Sequence, residues 1–137
     1  TPSDPEQARA RVAALRAVVP GHVTIGVSGD QAGATGLLAG CDAWYSALAG
    51  IWPETCLEIT RAAQDGDSAT AHRLADQLDP LWELFAEHGS LRVISTIAEQ
   101  AGLVGTPNLP QPLRALSSDD QDRVAHAVRS WEQRQAP

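Results

Sequence analysis

Lysine is absent from this chain of 137 residues, in which all ten basic residues are arginine. Without a side-chain primary amine the chain cannot itself form a Schiff base with a carbonyl substrate, and the permanently protonated guanidinium of arginine is no substitute. Methionine is absent as well, so the chain does not begin with an initiator. Basic charge is scarce: ten basic residues stand against seventeen acidic ones, for a net charge of −7 and a pI near 4.9. No basic stripe is available to neutralise phosphates, which excludes a nucleic-acid binder. No apolar run approaches the roughly 20 residues needed to span a bilayer, and no basic-then-apolar segment marks a secretion signal. Cysteine occurs only at positions 41 and 56, and both are expected to be buried free thiols of a reducing, cytoplasmic protein. His22, His72, His88 and His126 do not pair with one another or with cysteine at metal-ligand spacing. A zinc site is therefore not expected, and no other metal or organic cofactor is implied.

The most informative stretch is VTIGVSGDQAGATGLLAGCDAWYSALAGIWP, positions 23 to 53. It reads as a β-branched strand Val23–Val27, a turn Ser28-Gly29-Asp30, a small-residue helix Ala34–Ala39, and a second strand Ala43–Leu48 closed by Gly50 and Pro53. Two short strands joined by a helix form a βαβ unit, which requires a parallel pair. The class is α/β. In such folds ligands meet the chain beyond the carboxyl ends of the strands, here Ser28–Asp30 and Ala47–Gly50. Asp30 has two readings, a cap of the following helix or a substrate ligand. The spacing Gly26-x-x-Gly29-x-x-x-Gly33 is not that of a dinucleotide-binding fingerprint.

Elsewhere the chain is helical. Ser3 or Asp4 caps a helix that starts at Pro5 and runs to about Val19, with Ala8, Val12, Leu15 and Val19 along one face. A helix from Pro53 to about Gln64 ends at a Gly66 corner. The next is capped by Ser68, carries Leu74, Leu78, Leu81, Leu84 and Phe85, and is expected to be kinked or split by Pro80. Leu91–Ala101 forms another helix. A proline-containing connection 105–116 leads to a capping box at Ser117 or Ser118 and a final helix to about Gln133. The expected division is a 1–66 strand-and-helix segment and a 67–137 helical region.

Ser-Gly-Asp after the first strand, then GLLAG, a small-residue strand and a helical tail resemble the end of a dihydrodipicolinate synthase / N-acetylneuraminate lyase type aldolase. The resemblance implies the C-terminal portion of a (β/α)8 TIM barrel, its last two βα units, followed by a C-terminal helical bundle. A complete barrel needs roughly 200 residues or more. With only two strands legible, the chain is expected to be truncated from a longer protein. Enzymes of the family hold pyruvate or a related 2-oxo acid as a Schiff base on a barrel-strand lysine and condense it with an aldehyde, or run the reverse cleavage. That lysine is implied to lie upstream of Thr1, so no catalytic residue is assigned to this chain. The implied substrate-binding wall is Ser28, Gly29, Asp30, Tyr45 and Ala47. The sialic acid lyase branch carries an acidic residue after the Asp, where this sequence has Gln31.

Alternation along the second strand puts Asp42, Trp44 and Ser46 on one face and Ala43, Tyr45 and Ala47 on the other. Tyr45 falls at the family's inward-facing aliphatic position and is expected to line the pocket, Trp44 to pack. The resemblance also implies a homo-oligomer, a homotetramer in the family, with the upstream part of the barrel as a further partner. A different class of reading fits the missing lysine directly: a non-catalytic helical assembly module of aldolase ancestry.

Overall fold

The computed structural model describes residues 4–135. Contacts divide the chain into two units, Thr1–Asp76 and Gln77–Pro137. The expected boundary after Gly66 therefore lies one helix too early. Helix Ser68–Asp76 belongs with the first unit because it packs on the two helices preceding it.

In the first unit, α1 (Pro5–Val18) begins where the sequence places Asp4 and Pro5: the Asp4 carboxylate accepts from the Gln7 amide at 2.8 Å. The alternative cap, Ser3, lies outside the described residues. Ala8 and Val12 are the buried residues of α1. Strand β1 (Gly26–Ser28) pairs in parallel with β2 (Ala43–Tyr45), Val27 opposite Trp44. Between them a 3₁₀ turn, Asp30–Ala32, leads into α2 (Gly33–Leu38). After β2 come a 3₁₀ turn at Leu48–Gly50, then α3 (Pro53–Gln64) and α4 (Ser68–Asp76). The cap of α4 is Asp67, not Ser68: its carboxylate accepts from the Thr70 amide at 3.0 Å.

Both strands are shorter than the sequence implies, for reasons with names. Val23 donates to Pro20 in a turn, and the Ile25 amide donates to the Asp42 carboxylate at 2.7 Å instead of to a strand carbonyl. At the other end, the amides of Ala47 and Leu48 turn to the Asp30 carboxylate, which halts β2 at Tyr45.

One face of the strand pair is covered by α2 at very close range. A Cβ built on Gly36 would stand 2.5 Å from Val27 Cγ2, and one on Gly33 would stand 2.4 Å from the Trp44 indole. Only hydrogen fits at these two positions. Val27, Leu37, Leu48, Ile59 and Ala71 are buried in this unit.

The second unit is helical: α5 (Asp79–His88), α6 (Ser90–Gln100) and α7 (Ser118–Gln135). Pro80 does not kink a long helix but starts a new one, since a proline in the first turn needs no amide partner. Leu78, Leu81, Leu84, Phe85, Val93, Ile97 and Val124 fill the core, with Trp82 and Phe85 edge to face at 5.4 Å. The connection 101–117 is pinned by Arg92, which donates to the carbonyls of Arg114 (2.8 Å) and Ala115 (3.2 Å), and by Asn108, which bonds Ser95 and Glu99. Of the two candidates, Ser117 caps α7: its Oγ accepts from the Asp120 amide at 3.2 Å and donates to the Asp120 carboxylate at 2.7 Å.

Candidate functional site

All five residues of the expected pocket wall gather at the carboxyl end of the strand pair. Ser28 is exposed at the tip of β1. Gly29 turns the chain with φ of +94°, a left-handed conformation that residues with a Cβ rarely adopt. Tyr45 closes β2 with 67% of its surface exposed, and its ring lies over Gly26, within 2.2 Å of where a Cβ there would be. Tyr45 and Trp44 thus diverge as alternation requires: the Trp44 indole packs on Gly33 of α2, the Tyr45 ring on the opposite, uncovered side. Ala47 is half-buried in the loop beyond β2.

Asp30 stands apart from the other four. It is only 6% exposed. It does not cap the helix that follows; no side-chain cap is present there. Its carboxylate is directed across to the second loop. Oδ1 accepts from the Ser46 hydroxyl and from the Leu48 amide, the latter at 3.2 Å, while Oδ2 accepts from the Ala47 amide at 3.1 Å. Ser46 Oγ in turn accepts from the Ala49 amide at 3.0 Å and touches Cys56 Sγ of α3 at 3.5 Å. Burial pushes the Cys56 thiol up from its ordinary value, against the Ser46 hydrogen bond and with the help of the Asp30 charge. Both cysteines are free, Cys56 buried and Cys41 only half-buried. Ser46 was legible as a strand residue but not as a partner, because nothing local in the sequence links positions 30 and 46.

The opposite end of the strands has its own aspartate. Asp42 accepts from the Ile25 amide and pairs with Arg16, which also reaches the carbonyls of Val23 (3.3 Å) and Gly40 (3.4 Å). The Arg16 hydrogen bond holds the exposed Asp42 carboxyl below the usual carboxylate range.

A second polar cluster lies in the helical unit. Ligand atoms of Glu87, His88 and Asp120 come within 4.8 Å of one another. Glu87 is engaged by Arg123 at 2.6 and 3.1 Å. Arg123 also reaches Asp120 at 3.0 Å, so its guanidinium fills the place a cation would take between the carboxylates.

The profile of the Dihydrodipicolinate synthetase family matches residues 9–131, nearly the whole chain. The chain belongs to that family. An N-acetylneuraminate lyase from Enterobacter sp. (strain 638) is 30% identical over 83 residues, 61% of this chain and 28% of the lyase. Among solved structures, the dihydrodipicolinate synthase of Agrobacterium tumefaciens is 38% identical with a TM-score of 0.88, over 95% of this chain and 43% of that one. The 4-hydroxy-tetrahydrodipicolinate synthase of Methylacidiphilum fumariolicum shares the fold at 20% identity, TM-score 0.81, over 91% of this chain and 41% of that one. The chain therefore spans less than half the length of these family members. Among the described residues no helix is long and apolar enough to cross a membrane.

Proposed function

We propose that the chain is the C-terminal segment of a class I aldolase, its last two βα units followed by the added helices, and that it supplies one wall of the pocket. The observation that carries this reading is the 38% identity and TM-score of 0.88 to a dihydrodipicolinate synthase over 95% of this chain but under half of that one. The gathering of Ser28, Gly29, Tyr45 and Ala47 at the carboxyl end of a parallel strand pair supports it, since that is where barrel enzymes hold substrate.

In this reading the nucleophile is a lysine outside the chain. Its amine attacks the keto carbon of pyruvate or a related 2-oxo acid, and water leaves as the imine forms. Loss of a proton from the neighbouring carbon gives an enamine, which attacks the carbonyl of an aldehyde. Hydrolysis of the new imine returns the amine. Ser28 and Tyr45 would offer hydroxyls to the reactants, and Ala47 would leave room for them. Exposed Leu91, Leu103, Val104 and Leu113 would be available to a homo-oligomer contact in the cytoplasm.

The test is to express the full product of the reading frame that encodes this chain and treat it with pyruvate and borohydride. A reduced pyruvate adduct on a lysine upstream of Thr1 is expected. An adduct mapped inside this chain, or none on the full product, would overturn the reading; the latter favours a non-catalytic assembly module.

A further inference from the structure

We propose that Asp30 is a positioning residue: its buried carboxylate fixes the loop after β2 against the loop after β1, and so sets the shape of the pocket wall without touching substrate. The proposal rests on the aldolase reading and adds a role to it.

The geometry separates this aspartate from an ordinary turn residue. Its two oxygens take three donors, all from the segment Ser46–Leu48, across sixteen to eighteen positions of sequence. Two of the three are backbone amides, so the carboxylate dictates the path of the chain at Ala47 and Leu48 and not merely a rotamer. Ser46 extends the clasp: held by Asp30, its oxygen takes the Ala49 amide and meets Cys56 on α3. The loop after β2 is thereby fixed on one side to the Gly29 turn and on the other to the first turns of α3. Ala47, and Tyr45 just before it, can stand only where this clasp leaves them.

A buried carboxylate with several charge-assisted hydrogen bonds is a strong and geometrically exact constraint. At the other end of the strands, Asp42 makes a comparable junction with Ile25 and Arg16, but it is exposed and lies away from the pocket side. The two aspartates form a natural control pair. Both join the strands; only Asp30 lies where a shift of the loop changes what substrate meets. With the 2-oxo acid held by a covalent bond outside this chain, the reactant left to sense such a shift is the aldehyde.

Asp30→Asn keeps the size but places an NH2 where one acceptor stood, facing a backbone donor. Asp42→Asn serves as the control, and Ser46→Ala and Ser46→Thr test the clasp from its other side, in case the Asp30 variant fails to fold. In the full product we expect Asp30→Asn and Ser46→Ala to speed amide exchange at residues 47–49. Both should raise KM for the aldehyde about tenfold, since displacements of ~1 Å away from the chemistry can cost on the order of a hundredfold. The pyruvate adduct should still form in both. Ser46→Thr retains the hydroxyl and should restore KM, while Asp42→Asn should lower thermal stability and leave KM unchanged. Unchanged KM in Asp30→Asn and Ser46→Ala, or an equal rise in Asp42→Asn, would overturn the positioning role and leave the aldolase reading standing. Absence of the pyruvate adduct from the unaltered protein would overturn that reading and this role together.

Discussion

In Thr1–Asp76 the layers meet because side chains are missing: Gly33 and Gly36 let α2 settle directly onto Trp44 and Val27. In Gln77–Pro137 they meet because side chains are large, with Leu78, Leu81, Phe85, Val93 and Val124 filling the space between helices. The first unit leaves one face of a two-stranded sheet uncovered, with Ser28 and Tyr45 in the open. The second closes on itself, its loop pinned by Arg92 and its helices joined by Arg123 and by Arg134, which donates to the Gln77 carbonyl at 2.8 Å. The difference separates a part with an open strand face from a part that closes around its own core. Pairs of strands are marginal in water below about three strands, and open edges invite association.

The sharpest break of this comparison is to express the 137-residue chain alone. It should aggregate or expose its first unit, with rapid proteolysis and amide exchange across residues 23–53, while α5 to α7 keep their protection. A monodisperse monomer with one cooperative thermal transition would erase the distinction. Next in size is Leu81→Ala, which empties a site that is 1% exposed in the helical unit and should cost about 2–5 kcal/mol there. Chemical denaturation followed by segment-resolved exchange would read it.

Gly36→Ala is its counterpart in the first unit. On an open helix the change would stabilise by roughly 1 kcal/mol, but here the new methyl meets Val27 Cβ at 2.6 Å. Overpacking should win, for a net loss of about 1–3 kcal/mol confined to residues 4–76. A gain in stability would show that α2 has room to move.

Tyr45→Phe probes the uncovered face without disturbing either core. If its hydroxyl meets substrate, kcat/KM of the full product should fall roughly ten- to hundredfold, from about 1–3 kcal/mol for an unpaired polar group. Thermal stability should hold, because the ring and its contact with Gly26 remain. Unchanged kinetics would make Tyr45 a packing residue.

The smallest effect is acid sensitivity in the helical unit. The Arg123 hydrogen bond holds the Glu87 carboxyl below its usual range, and the Ser117 hydroxyl, then Arg123, does the same for Asp120. A carboxyl lowered in the folded state adds stability that is present above its unfolded value and lost as pH falls through its folded value. The loss should thus appear below about pH 4. Arg123→Gln should flatten that acid limb for α5 to α7 only, as followed by segment-resolved exchange between about pH 5 and pH 3.

Local signals in the sequence carried far. Asp4 and Pro5, Pro53, Pro80 and the Ser117 box each mark a helix start by a mechanism that acts within one turn, and the alternation of Trp44 and Tyr45 fixes which ring faces α2. The Ser-Gly-Asp turn and the small-residue helix after it were enough to point to the family. What escaped acts at long range. The early end of β2 is decided by a carboxylate seventeen or eighteen residues upstream, and the engagement of Glu87 by an arginine thirty-six residues downstream. Periodicity and capping rules do not reach across such separations; only the fold brings those groups together.

The near-contact of Gly36 with Val27 also constrains how this segment can diverge. Neither position can drift by itself, since any enlargement at 36 requires a matching reduction at 27. The same holds for Gly33 with Trp44. Substitutions there should be inherited as compensating pairs, and so should those at Gly26 and Tyr45, whereas the exposed Ser28 and Gln31 are free to change one at a time. Variation can therefore accumulate at the exposed carboxyl end of the strands while the face beneath α2 stays locked, and the glycines that bring α2 onto the sheet make the open side the cheaper place to evolve.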